Sequence, residues 1–184
     1  MTEPEWLASD RPDDLLFHLR DRLDDRGLRR LAAASCRRAW DHMEQASRVA
    51  VEAVERYAAG QEPASTLRDA AHAAAEVLRE ALRTLDIHVA RNGHLYHAAY
   101  AAAAACWTSG IPIERDPRQG EPEGMLDAAL RAMSHAAAAV AIDRVQHHRP
   151  VEEMHAMLAE ATLDEGRAQA EIVRKLFPFR PIGP

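Results

Sequence analysis

Aromatic residues make up only 5% of this 184-residue chain, and there are two cysteines, one lysine (Lys175) and one asparagine (Asn92). Cys36 and Cys106, far apart along the chain, offer neither a disulfide framework nor a zinc-finger spacing, and are expected as small buried apolar residues in a reducing cytosol. Trp40, Tyr57, Tyr96, Tyr100 and Trp107 fall at helical spacing among apolar neighbours, which makes them core or boundary anchors instead of a base-stacking platform. The formal net charge is -6, with Arg and Asp/Glu intermixed, so the basic field of a general nucleic-acid binder is missing. The longest nearly uncharged run, Gly93 to Pro112, is mostly Ala and is interrupted by histidines. It falls short of the ~20 strongly apolar residues that cross a bilayer, and no membrane association is expected. The opening Met1 to Asp14 is acidic and has no apolar h-region, so no signal peptide is read there. Neither a Gly-x-Ser-x-Gly elbow nor a Gly-rich phosphate loop occurs.

What the chain does have is alanine, about a fifth of its residues, and apolar positions repeating every three or four residues. Pro12 in a first turn and Leu15, Leu16, Leu19 and Leu23 predict a short helix that Gly27 ends. Leu28, Leu31, Ser35, Ala39, His42, Ala46, Val49 and Ala53 predict one long second helix, ending at Gly60. Leu67, Ala71, Ala74, Leu78, Ala81, Leu85 and His88 form the seam of a third, closed by Asn92-Gly93. A fourth, His94 to Thr108, carries no charged residue except its histidines and is apolar nearly all round, as the central helix of a bundle would be. Residues 110–124 hold three prolines and three glycines and are expected as a mobile connection or a lid. A fifth helix starts at Met125, with Leu126, Leu130, Met133, Ala137 and Val140 inward. A sixth runs from Val151 to Phe177, with Met154, Leu158, Ala161, Ala168 and Ile172 inward. The expectation is an all-α, single-domain antiparallel bundle of five or six helices over 1–184, with an extended Pro-rich tail at 177–184. That tail is expected to dock on the N-terminal helices through Trp6, Leu7, Phe17 and Trp40.

Ten histidines raise the question of metal. Glu152-x-x-His155 has the spacing of di-iron carboxylate bundles, in which residues three apart face the same way. Such bundles use the motif twice, together with a Glu from each of two further helices, and here it occurs once. His94-x-x-His97, with His88 across the Asn92-Gly93 turn, offers a second arrangement of the kind open zinc sites use. The plainer account of all five residues is hydrogen-bonded boundary side chains without a cofactor; Zn or Fe is the alternative. Cys36-Arg37-Arg38 places two cations beside a thiol, but neighbours on a helix point about 100° apart, which favours an inert buried Cys36. The arginines from Arg20 to Arg38 are interrupted by Asp21, Asp24 and Asp25, the pattern of an ion-paired solvated face.

The T-E-P-E-W-L at Thr2 to Leu7, C-R-R-A-W at Cys36 to Trp40, V-A-V-E-A-V-E-R-Y-A-A-G at Val49 to Gly60 and L-F-P-F-R-P-I at Leu176 to Ile182 together resemble a bacterial paralogue family of Ala-rich helical proteins. The likeness covers both ends and the second helix, and departs from the family's usual ending in the Leu-Phe-Pro directly before Phe179. It implies a helical fold and no catalytic residues, with Phe177, Phe179, Arg180, Arg37 and Arg38 as the signature positions available for interaction. Three functional readings follow: a non-enzymatic helical module binding a protein partner or itself, a metal-dependent helical protein, and a nucleic-acid-associated accessory protein using Arg26 to Arg38.

Overall fold

The computed structural model describes residues 1–84, 93–109, 123–145 and 151–181, with side chains described from 156 onward in the last segment. Among the described residues there are no strands, and the chain is all-α: α1 (Glu3–Ala8), α2 (Pro12–Leu19), α3 (Asp25–Cys36), a 3₁₀ segment (Arg37–His42), α4 (Gln45–Ala58), α5 (Ala64–Thr84), α6 (Gly93–Trp107), α7 (Met125–Val145) and α8 (Val151–Leu176). The expected class stands, with more and shorter helices than the periodicity indicated.

The extra helices have local causes. In α1, Thr2 and Glu5 form a reciprocal capping box, each side chain bonded to the other's backbone N–H. Gly27 does not end a helix; it lies in the first turn of α3, where its N–H donates to Asp24 Oδ1 at 2.6 Å. A Cβ at Gly27 would come within 3.0 Å of the Phe177 ring, so the absence of a side chain is what lets the C-terminal segment close on α3. The single long helix expected over 28–60 is broken at the 3₁₀ segment, where Ala39 leaves helical geometry (φ -97°, ψ 18°) and Met43 is extended. Neither proline nor glycine marks this break. What it accomplishes is tertiary: the 3₁₀ segment reaches α7 and α6. Gly60 (φ 74°) closes α4 with the paired bonds Gln61 N–H to Arg56 O and Gly60 N–H to Tyr57 O, a left-handed cap that favours glycine.

The larger of two buried clusters is built around α6. Seven alanines (98, 99, 101 to 105) are buried there with Tyr96, Tyr100 and Cys106, and the helix packs on α7 most extensively and also on α3, α4 and α5. Alanine on every side lets neighbouring axes approach toward the ~8 Å end of the usual range. From α5, Leu67, Ala71, Ala74 and Leu78 are buried as the seam predicted. On α7 Met133 and Val140 are buried as expected, together with Ala129, Ala132, Ala136 and Ala139, while Leu126, Leu130 and Ala137 are half-buried. α7 is also long and apolar enough to cross a membrane by length and composition, and 44% of its most apolar window is buried within this bundle.

The second cluster ties the two ends of the chain together. Trp6, Leu15, Leu16, Leu19 and Leu31 meet Met133, Ala170 and Val173, and Phe177 and Phe179 pack against them half-buried. Phe179 stacks on His18 (centroids 6.0 Å, 5° between planes) and tilts against Trp6 at 6.1 Å. Arg22 Nη1 donates to the Arg180 carbonyl at 2.5 Å, and Arg174 Nη1 donates to the Ser9 carbonyl at 2.7 Å. Of the four side chains expected to receive the tail, Trp6 does so. Leu7 and Phe17 face solvent, and Trp40 lies instead beneath the Arg37 guanidinium.

On α8 the inward face carries charge. Glu165 has a fully buried side chain (0% exposed), and Arg38 Nε and Nη2 (3.1 and 2.7 Å) and Arg144 Nη2 (2.8 Å) all donate to its carboxylate. Both arginines keep a third or more of their surface in water, so the carboxylate alone bears the full desolvation penalty. The double substitution Arg38→Met/Arg144→Met is therefore expected to cost about 3–5 kcal/mol by stranding a buried charge, whereas Glu165→Leu frees two arginines to hydrate and costs far less. Chemical denaturation of both variants checks this; equal losses would contradict it. Truncation after Lys175 is expected to cost about 2–4 kcal/mol, from burial of two phenylalanines worth roughly 1.5–3 kcal/mol each when complete. An unchanged denaturation midpoint would show that the tail contributes nothing to the fold.

Candidate functional site: a histidine and tyrosine cluster between α6 and α7

α6 and α7 run antiparallel, so that Gly93 meets Ile142, His97 meets His135, and Tyr100 meets Arg131. His97 is half-buried and His135 is buried. Their Nδ1 atoms face each other at 2.9 Å, a separation that requires one ring to donate and the other to accept. The pair survives one added proton; a second would set two N–H groups against each other. Tyr100 lies flat on His135 (centroids 4.0 Å, 17°), and Tyr96 stands edge-on to it at 6.0 Å. Arg131 bonds the Tyr100 hydroxyl at 3.3 Å and pairs with Asp127 at 3.0 Å. Burial pushes the His97 pKa below its ordinary value near 6.5.

His94 and His97 do not converge on one metal position. His94 stands edge-on to His42 (centroids 5.8 Å), and His42 Nδ1 lies 3.9 Å from Asp143, while His97 is taken by His135. His88 lies outside the described residues. Glu152 and His155 fall in the opening turns of α8, where side chains are not described. Among the described residues no group of three or more His, Cys, Asp or Glu is placed to hold a metal ion; His97 and His135 supply two donors of the four that zinc commonly takes. His135 was missed in the sequence because nothing in a helical pattern gives the register between two helices that are apolar nearly all round.

The other candidates are engaged within the chain. Arg37 forms a two-pronged pair with Glu55 (2.8 and 2.5 Å) and lies over Trp40 at 3.9 Å, with Arg48 also over that ring at 5.6 Å. Arg38 holds Glu165, Phe177 and Phe179 are docked, and the Arg180 backbone is bonded by Arg22. Cys36 donates to the Ala101 carbonyl at 3.3 Å, and burial raises its pKa far above the ordinary thiol range and that of Cys106 to about 12. Such thiols are neutral and poor nucleophiles. Of the 110–124 segment, only 123 and 124 are described.

No protein family, no curated protein and no solved structure matches the chain. The reading of the site therefore rests on its own geometry.

A folded-state pKa held below the unfolded value means that His97 contributes stability above about pH 6.5, and that this contribution is lost as pH falls below it. His18, whose pKa is lowered chiefly by burial against the tail, acts in the same direction. Thermal unfolding is expected to be flat from pH 8 to 7 and to fall from pH 6.5 to 5. The fall should be shallower in His97→Gln, which keeps an amide beside His135. A wild-type Tm constant down to pH 5 would contradict the assignment.

Proposed function

We infer that the protein is a non-catalytic helical module that acts by binding another protein surface, the simplest partner being a second copy of itself. The observation that carries this reading is the exposure of three large apolar side chains, Leu7 (63%), Phe17 (67%) and Leu163 (63%). They stand on α1, α2 and α8, elements that pack on one another: Arg174 bonds the carbonyl that follows α1, and Arg167 pairs with Asp10 at 3.0 Å just before α2. Folding gains nothing from leaving such side chains in water, whereas a partner would bury each for ~1.5–3 kcal/mol. Among the described residues, Arg37, Arg38, Cys36 and His97, which sequence patterning singled out, are each held by a partner within the chain, which supports binding over catalysis.

Sedimentation velocity across a concentration series tests the reading. The wild type is expected to self-associate, and Leu7→Glu/Phe17→Glu/Leu163→Glu to sediment as a monomer with Tm nearly unchanged, since exposed positions away from packing contribute within about 0.5 kcal/mol each. A wild type that stays monomeric throughout, or a triple variant that associates as well as the wild type, would overturn self-association.

A further inference from the structure

A cavity of about 250 Å³ lies where the C-terminal segment closes on the turn between α2 and α3, with Leu19, Leu23, Leu176 and Phe177 on its apolar side and Arg22 and Arg180 on its polar side. Its volume is just below the usual range for small-molecule sites and suits a fragment-sized molecule. The two arginines are unusual in their setting. Acidic residues outnumber Lys and Arg by 29 to 23 in this chain, and close by in sequence Arg20 pairs with Asp21 at 3.6 Å and Arg29 with Asp25 at 3.7 Å. Among the described residues neither Arg22 nor Arg180 is paired with a carboxylate; Arg22 Nη1 donates instead to the Arg180 backbone carbonyl at 2.5 Å, which ties one guanidinium to the residue that carries the other. Asp24, the carboxylate among the described lining residues, is committed elsewhere: its Oδ1 accepts the Gly27 N–H at 2.6 Å as the N-cap of α3, where the positive end of the helix offsets part of its charge. Two guanidinium groups against one capped carboxylate leave the mouth of the cavity net positive beside an apolar wall.

We propose that this cavity binds a small monocarboxylate with an apolar body, an aryl or branched aliphatic acid, its carboxylate held by Arg22 and Arg180 and its body against Leu19, Leu23, Leu176 and Phe177. The lining selects against the alternatives. A guanidinium presents its N–H groups in a planar fork that matches a carboxylate, and such charge-assisted bonds are about twice as strong as neutral ones. A cation is repelled by both arginines. Inorganic phosphate satisfies the arginines but leaves the apolar wall in water, and a neutral molecule of the same shape gains the wall alone. Leu176, Phe177 and Arg180 come from the C-terminal segment, and Leu19, Arg22 and Leu23 from α2 and the turn after it. The ligand therefore bridges the two ends of the chain and has a complete site only when they are clasped, so that binding stabilises the clasp by mass action. Leu7, Phe17 and Leu163 take no part in the lining, and the site does not rest on the association surface inferred above.

The test uses the full chain with benzoate as the probe, followed by saturation-transfer NMR and by amide shifts in ¹H–¹⁵N spectra, with benzamide, benzylamine and inorganic phosphate as controls. Benzoate is expected to bind, to shift amides within 19–24 and 176–180, and to raise Tm as its concentration rises, while each control binds about tenfold more weakly or worse. Arg180→Gln keeps the backbone carbonyl that Arg22 holds, so the clasp stays closed; it is expected to weaken benzoate about tenfold with the Tm of the free protein nearly unchanged. Arg22→Gln is expected to weaken benzoate at least as much, because it removes a guanidinium and loosens the tail together. The proposal is overturned if benzoate does not bind, if Arg180→Gln binds it as well as the wild type, or if benzamide binds as tightly as benzoate. It is also overturned if the shifted amides lie away from the clasp, because the anion would then be held by other arginines of the surface.

Discussion

A helix buried on every side has to be made of small residues, and α6 obeys that constraint almost without exception. Its alanines contribute little apolar area each, so the favourable free energy comes from how closely α3, α4, α5 and α7 approach and how many atoms come into dispersion contact as a result. This arrangement tolerates little change in side-chain volume along the axis. It also fixes where larger groups can go: Tyr96 and Tyr100 occupy the side facing His135, and both thiols are fully buried.

Polar contacts decide what the thin core leaves open. Glu165 joins three elements, α8, α7 and the 3₁₀ segment, through a single carboxylate. A buried ion pair of this kind adds little net stability over a hydrophobic substitute, yet it penalises any register in which the arginines miss the carboxylate. An α7 stripe made mostly of alanine can slide by a turn at small energetic cost, and an ionic tie resists that sliding. The 3₁₀ segment at Arg37–His42, which carries Arg38, packs on α7 as α3 does, so the tie is made where the chain already lies against that helix.

The sequence shows some of this directly and hides the rest for identifiable reasons. The seam of α5 and the centrality of α6 are legible because charge is absent from the buried side of one and from all of the other. The start of α1 was legible in principle, since Thr2 and Glu5 have the capping-box spacing, but a six-residue helix leaves no periodicity to notice. The break after Cys36 was not, because its cause is tertiary and no proline or glycine announces it. The inward face of α8 is legible in part: Ala161 is buried and Leu158, Ala168 and Ile172 are half-buried as the pattern indicates, with Met154 outside the described side chains, but Glu165 and Gln169 are buried too, and a search for apolar stripes places such polar residues outside. The His97 and His135 pair depends on the register between two helices that are apolar nearly all round, and such helices carry no phase information.

The clasp between the chain's ends bears on the order in which the protein can be made. Trp6, Leu15 and Leu16 emerge during synthesis long before their companions Val173, Phe177 and Phe179. Among the described residues, the buried members of the cluster around α6 come from α3 to α7, and this cluster can condense while α8 is still being translated. α1 and α2 have no such option: their apolar side chains wait for their companions until the final turns of α8 and the Phe-Pro-Phe segment have been translated.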